Sequence, residues 1–309
     1  MEYVLLTVSV LSAVINNSLL HLPIVKKGSI NEFLFNAGVV AVWVVLLAVY
    51  NGGIRGFSRD TFIYGAVYGI ILAGFLFCKM QAFSNGPIHY TSLIGSSSFI
   101  LTTVFNAVYW KESVNAYQIA GIILMLAAVV MITCRQRYPA AEKQILTWKW
   151  KVYAAAFFLF SALTGIVFRF HQSVDAVHTD EMMIFASMIV TVLLAVAGGS
   201  ISLYERRKSM GADIEGKAAA VKEQKKTAAI ILIAAACGVV SCIYNRLNIY
   251  LCGVMANSVF FPLFNGGNIL LTTLAGCILF RERLHKLQIA GVFCGLTAIL
   301  LVSNFFGLL

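Results

Sequence analysis

Apolar stretches of about twenty residues alternate with short polar breaks along the whole 309-residue chain. Ten can be marked: 3–25, 33–51, 61–83, 89–109, 117–134, 149–171, 182–204, 227–252, 257–280 and 287–305. As helices, such lengths cross a hydrocarbon layer about 30 Å thick. The breaks carry turn and charge signals, as in Lys26–Lys27–Gly28, Asn51–Gly52–Gly53, Ser84–Asn85–Gly86–Pro87 and Lys111–Glu112. A membrane barrel would show alternating strands of about ten residues instead. The pattern therefore predicts an all-α integral membrane protein of ten transmembrane helices. Composition agrees. The chain is 60% hydrophobic and 12% charged, with a mean hydropathy of +0.86. A soluble domain carries about 25% charged residues, so a soluble enzyme is excluded.

The net charge of +10 has no soluble surface on which to form a nucleic-acid patch. It reads as topology. Seventeen Lys and Arg fall in the odd-numbered connections and four, Arg55, Arg59, Lys111 and Arg169, in or beside the even-numbered ones. Positive-inside logic places the odd connections in the cytoplasm and both termini outside. The start Met1–Glu2–Tyr3 has no basic n-region of a signal peptide. All seven cysteines lie in or beside apolar runs, without metal-type spacing, and read as small buried hydrophobes.

The chain also repeats itself. Leu101–Thr102–Thr103, Trp110–Lys111–Glu112 and Gln118–Ile119–Ala120–Gly121–Ile122 return as Leu271–Thr272–Thr273, Phe280–Arg281–Glu282 and Gln288–Ile289–Ala290–Gly291–Val292, always 170 residues later. Three ordered matches at one offset point to duplication. The expected units are 1–138 and 139–309. Each holds five helices, an odd number, so the second copy is inverted relative to the first, a pattern common in secondary transporters.

With these motifs the chain resembles the drug/metabolite transporter superfamily, and within it the EamA-type permeases. The resemblance implies alternating access by two pseudo-symmetric bundles around a central cavity, in a bacterial inner membrane. It also implies cytoplasmic termini, opposite to the charge count. It names no substrate, since such proteins handle amino acids, metabolites, nucleotide sugars and drugs.

Candidate site residues are the polar groups that hydrocarbon would penalise. No Asp or Glu lies inside a span, which disfavours a carboxylate-based cation/proton antiporter. Two cations do: Lys79, and Arg246 within Tyr244–Asn245–Arg246–Leu247–Asn248. Shifted by the offset, Arg246 falls at position 76, one helical turn from Lys79. Unpaired by any intramembrane acid, the two would make a cavity net positive; the bland alternative is snorkelling of long side chains. In the fourth and ninth stretches, Gly95–Ser96–Ser97–Ser98 aligns with Asn265–Gly266–Gly267–Asn268, one turn after Pro262. Matched interruptions mark a binding region, against the alternative of small-residue packing. The first stretch adds Asn16, Asn17 and an edge residue, His21. Tyr64, Tyr68, Tyr90 and Tyr244 are aromatic candidates, with Tyr90 read by default as an interfacial anchor. The motifs Gly65-xxx-Gly69 and Gly291-xxx-Gly295 are assigned to packing.

The expected substrate-binding set is thus Asn16, Asn17, Tyr68, Lys79, Ser96, Ser97, Tyr244, Asn245, Arg246, Asn265 and Asn268, with no catalytic residues, metal or cofactor. The function is transport of a small polar metabolite, carboxylate- or phosphate-bearing in preference, with quaternary-ammonium cargo as the alternative. The expected partners are that small-molecule substrate and the lipid bilayer, for a monomer or homodimer. The competing class is an integral-membrane enzyme acting on lipid-linked substrates, for which Asp175, His178, Asp180 and Glu181 form the available cluster. No Walker loop, G-x-S-x-G or H-E-x-x-H motif occurs.

Overall fold

The computed structural model describes residues 1–20, 31–53, 58–86, 88–112, 114–133, 147–209, 217–279 and 285–303. Within them the protein is all-helical, without strands. The helices are α1 (Glu2–Leu20), α2 (Glu32–Tyr50), α3 (Arg59–Asn85), α4 (Ile88–Ser97), α5 (Phe99–Tyr109), α6 (Ala116–Thr133), α7 (Trp148–Val174), α8 (Thr179–Ser209), α9 (Lys217–Val254), α10 (Asn257–Leu279) and α11 (Lys286–Val302). A 3₁₀ turn, Ala176–His178, joins α7 to α8.

Among the described residues, eight segments are long and apolar enough to cross a membrane, α4 and α5 together counting as one through Thr91–Tyr109. Of the ten expected spans these account for eight; the other two fall on shorter apolar helices, Ala116–Ile132 and Lys286–Val302. The fourth stretch is also not one regular helix. It breaks at Ser98, whose hydroxyl donates back to the Gly95 carbonyl (2.7 Å). Such local bonding competes with the helix ladder. In the ninth stretch α10 continues through Pro262.

Large apolar side chains stay exposed around the outside, including Val49, Ile123, Val196, Leu232 and Phe293, each more than 60% accessible. Water would penalise so broad an apolar surface, whereas lipid would not. Inside, α1 packs on α9 and α10, and α7 packs on α3, α4 and α5. Likewise α2 packs on α8 and α9, and α8 on α2 and α3. Helices α6 and α11 pack chiefly on each other.

The repeated Gln-Ile-Ala-Gly motif has a local explanation. Gln118 and Gln288 each close a capping box, accepting from the amides of Asn115 (3.0 Å) and His285 (2.9 Å) three residues earlier. Gln288 Nε2 also donates to the Ile132 carbonyl of α6 (3.2 Å). The glycine one turn on allows close approach: a Cβ at Gly121 would lie 2.9 Å from the Val302 amide nitrogen, and one at Gly291 3.2 Å from the Ala128 carbonyl.

Gly65 and Gly69 do the same between α3 and α8. A Cβ at Gly69 would sit 3.1 Å from the Ala186 carbonyl and 3.2 Å from its Cα, atoms that cannot swing away. Gly267 has only Val10 methyls near it, at 3.5 Å and beyond. Alanine should therefore act with opposite signs at the two positions. We predict that Gly69→Ala loses about 1–3 kcal/mol to overpacking, while Gly267→Ala is neutral or gains up to about 1 kcal/mol of helix propensity. Thermal unfolding of the purified protein in detergent checks both.

Candidate functional site

A polar cavity of about 250 Å³ lies at the centre, lined by α1, α2, α3, α5, α7, α9 and α10 and by Ser98. Hydrocarbon forces the polar residues of spans inward, and asparagines dominate the result. Asn16 and Asn17 come from α1, Asn36 from α2, Asn245 and Asn248 from α9, and Asn265 and Asn268 from α10. Lys79 is the cation among them. Trp43, Phe75, Phe99, Phe168, Tyr244, Phe260, Phe261 and Phe264 supply aromatic walls. The lining of α1, α2 and α3 lies in the halves of those helices nearest the odd-numbered connections. On α10 it begins at Phe260, one turn from the helix start.

Several lining groups are fixed across the two halves of the chain. Asn17 Nδ2 donates to Asn268 Oδ1 (3.1 Å), and Ser9 to Asn248 Oδ1 (2.6 Å). The Trp43 indole donates to Ser241 (2.8 Å), and Ser98 shares a hydrogen bond with Ser161 (2.7 Å). By contrast Asn16 Oδ1 has no protein partner. Lys79 is half-buried, with Nζ 5.9 Å from the Phe75 ring centroid and no ion pair among the described residues. Glu32, at the start of α2, acts on it only through its field. A cation so placed makes the chamber attractive to anions.

Of the expected site residues, the structure brings Asn16, Asn17, Lys79, Tyr244, Asn245, Asn265 and Asn268 to this cavity. Four are elsewhere. Ser96 and Ser97 donate to the Ser92 (2.5 Å) and Leu93 (2.7 Å) carbonyls of their own helix. Tyr68 is fully buried edge-on against Phe168, with centroids 5.1 Å apart.

Arg246 is the main correction. It is not unpaired: its Nε and Nη2 donate to the two carboxylate oxygens of Asp180, at 2.6 and 3.0 Å. Its guanidinium also lies 4.7 Å from the Tyr50 ring centroid. Asp180 stands in the first turn of α8, so it is a helix-edge acid in sequence yet reachable by a long side chain two turns inside α9.

Of the marked serines it is Ser98 that reaches the cavity, and residues not expected include Asn36, Trp43, Ser161 and Thr164. Their signal was present as polar or amphipathic residues in apolar runs, but single Ser, Thr or Trp positions are too common in spans to single out. His21, the Phe280–Arg281–Glu282 motif and most of the basic positions in the charge count lie outside the residues whose side chains are described.

Polar ties join helix ends facing the even-numbered connections. Asp175, capping α7, accepts from Ser58 (2.9 Å) and Thr61 (2.8 Å) at the start of α3 and pairs with His178 (2.6 Å). Arg169 donates to the Cys252 (2.6 Å) and Gly253 (3.1 Å) carbonyls at the end of α9 and stacks 5.1 Å from Trp110. Three of the four residues of the competing enzyme cluster are thus divided between two ties, Asp175 with His178 and Asp180 with Arg246. No group of three or more His, Cys, Asp or Glu suited to a metal occurs among the described residues.

Fold and cavity together define a helical membrane protein with a central chamber lined by polar and aromatic side chains. Residues 2–134 match the EamA-like transporter family, which belongs to the drug/metabolite transporter superfamily. No curated protein sequence matches the chain. Among solved structures, one described only as the crystal structure of a protein aligns over 98% of each chain, with a TM-score of 0.70 and 13% identity. That likeness concerns the fold alone.

Two measurements test the ties. If Arg246 and Asp180 act as a pair, the double variant Arg246→Gln/Asp180→Asn should unfold at about the temperature of the worse single variant, not at the sum of the two losses. Burial alone would raise the Asp175 carboxyl, but the hydrogen bonds from His178, Thr61 and Ser58 outweigh it and hold the group below the usual carboxylate range. A depressed folded-state pKa contributes stability above the unfolded value, which is lost as pH falls through the folded one. Melting curves of wild type and Asp175→Asn should differ at neutral pH and converge on acidification.

Proposed function

We propose that the protein is a secondary or facilitative transporter that moves a small anionic metabolite, bearing a carboxylate or phosphate, by alternating access through the central cavity. The observation that carries this reading is Lys79, a cation without an ion-pair partner among the described residues, set in a ring of asparagine amides within the apolar part of the fold. An unpaired charge there is costly unless a ligand or water answers it. The amides offer donors and acceptors for the rest of a polar cargo, and the aromatic walls accept its apolar part.

The exchange of helix partners between halves, α1 with α9 and α10 against α7 with α3, α4 and α5, supports two inverted five-helix repeats, 1–138 and 139–309. In this reading the rearrangement is a rocking of these halves about the α6–α11 pair. The chain would act in a bacterial inner membrane, as a monomer or homodimer. Members of the EamA family are transporters rather than enzymes, and the engagement of Asp175, His178 and Asp180 in helix ties tells against the enzyme reading. Quaternary-ammonium cargo has the tyrosine and phenylalanine walls in its favour and Lys79 against it.

Thermal-shift screening against charged metabolites, followed by flux into proteoliposomes, tests the charge rule. Carboxylates or phosphates should stabilise the wild-type protein. Lys79→Gln should weaken that binding roughly ten- to hundredfold, the loss of one charged hydrogen bond. Stabilisation by cations alone, unchanged in Lys79→Gln, would overturn the anionic reading.

A further inference from the structure

A carboxylate from the first half of the chain already sits on the positive end of α10. Glu112 Oε1 accepts from the Asn257 backbone amide (2.9 Å) and side-chain amide (3.2 Å), and Oε2 accepts from the Ser258 amide (2.9 Å). The turn after α5 delivers it. Lys111 takes a left-handed conformation (φ 51°), and the Glu112 amide bonds back to the Ala107 carbonyl (3.0 Å). This gives the Trp110–Lys111–Glu112 motif a task that the cavity does not explain. Exposed amides and the helix dipole make such a helix start an anion site.

Its position is telling. Phe260 and Phe261 line the cavity, and Asn257 and Ser258 lie within one turn of them, just beyond its floor. A second, independent observation comes from the buried polar groups nearby. Asn257 Oδ1 and Ser258 Oγ on α10 have no partner, nor do both amide atoms of Asn106 and the hydroxyl of Thr103 on the facing helix α5. All four residues are at least nine-tenths buried. Buried groups left unpaired are unfavourable. Several together on two helices that pack on each other are accounted for if another arrangement of α5 and α10 hydrates or ligates them.

We propose that the start of α10 is a second anion subsite, occupied by Glu112 in this conformation, and that a carboxylate or phosphate passing from Lys79 displaces Glu112 there and frees α5 from α10. One anion replaces another, so the helix start never loses its partner. These unpaired polar groups then become the wetted wall of the path at the even-connection end. This rests on the anionic cargo proposed above.

The test uses the full chain in proteoliposomes, with Thr103→Cys as a near-isosteric reporter and a membrane-impermeant maleimide as label. With Glu112 intact, labelling should stay near the background of the native cysteines. Glu112→Ala should raise it roughly tenfold, as expected for loss of a helix cap. Acetate, the part of the side chain removed, should return the rate toward background, whereas the neutral isostere acetamide should not. Glu112→Gln, which keeps the shape but not the charge, should fall between and guards against misfolding of the alanine variant. No rise in either variant, or equal effects of acetate and acetamide, would reduce Glu112 to an ordinary cap and overturn the subsite. Failure of the cargo reading looks different: acetate would still reseal Glu112→Ala, but carboxylates would show no Lys79-dependent stabilisation of the wild-type chain.

Discussion

Every polar group in a hydrocarbon layer must find a partner inside the protein, and the rest of the structure follows from that constraint. Backbone groups satisfy it by forming helices. Side chains satisfy it by turning inward, so asparagines scattered over α1, α2, α9 and α10 converge on one chamber. Some then bond each other across the halves, as Asn17 does with Asn268. Others, such as Asn16, keep an atom unmatched. The chamber is therefore both a structural necessity and a chemically unsaturated space.

Charge obeys the same rule with different tools. Arg246, Arg169 and Asp175 are drawn to one end, where carboxylates, carbonyls and hydroxyls of neighbouring helices meet them. Lys79 is left in the chamber. Among the described residues, the polar ties thus gather toward the even-numbered connections, while Lys79 in the chamber has no ion-pair partner.

Most of the architecture was legible because apolar run length and turn residues are local signals. The span limits read from sequence fall within a few residues of most helices. What escaped was the break at Ser98, since three consecutive serines do not reveal which hydroxyl turns back onto the chain. For the site, asparagines in spans were informative because an amide facing lipid stays unsatisfied, so its presence in a span already directs it inward. Arg246 misled for the complementary reason. Its partner Asp180 is 66 residues away and at a helix edge, so no window along the chain joins them. The serines at 96 and 97 misled because a small hydroxyl can be satisfied by its own helix, which sequence cannot distinguish from facing a cavity.

The α6–α11 pair contributes no residue to the chamber lining, yet its glycine contacts and capping boxes make it closely joined. Its chemistry is thus insulated from whatever the protein carries. Change in the chamber can proceed without disturbing that joint, and change in the joint should show in the amount of protein made more than in its selectivity. For spectroscopy, if the halves rock about this pair as proposed, it supplies a fiducial axis: a probe anchored on α6 or α11 is the reference against which displacements elsewhere are measured.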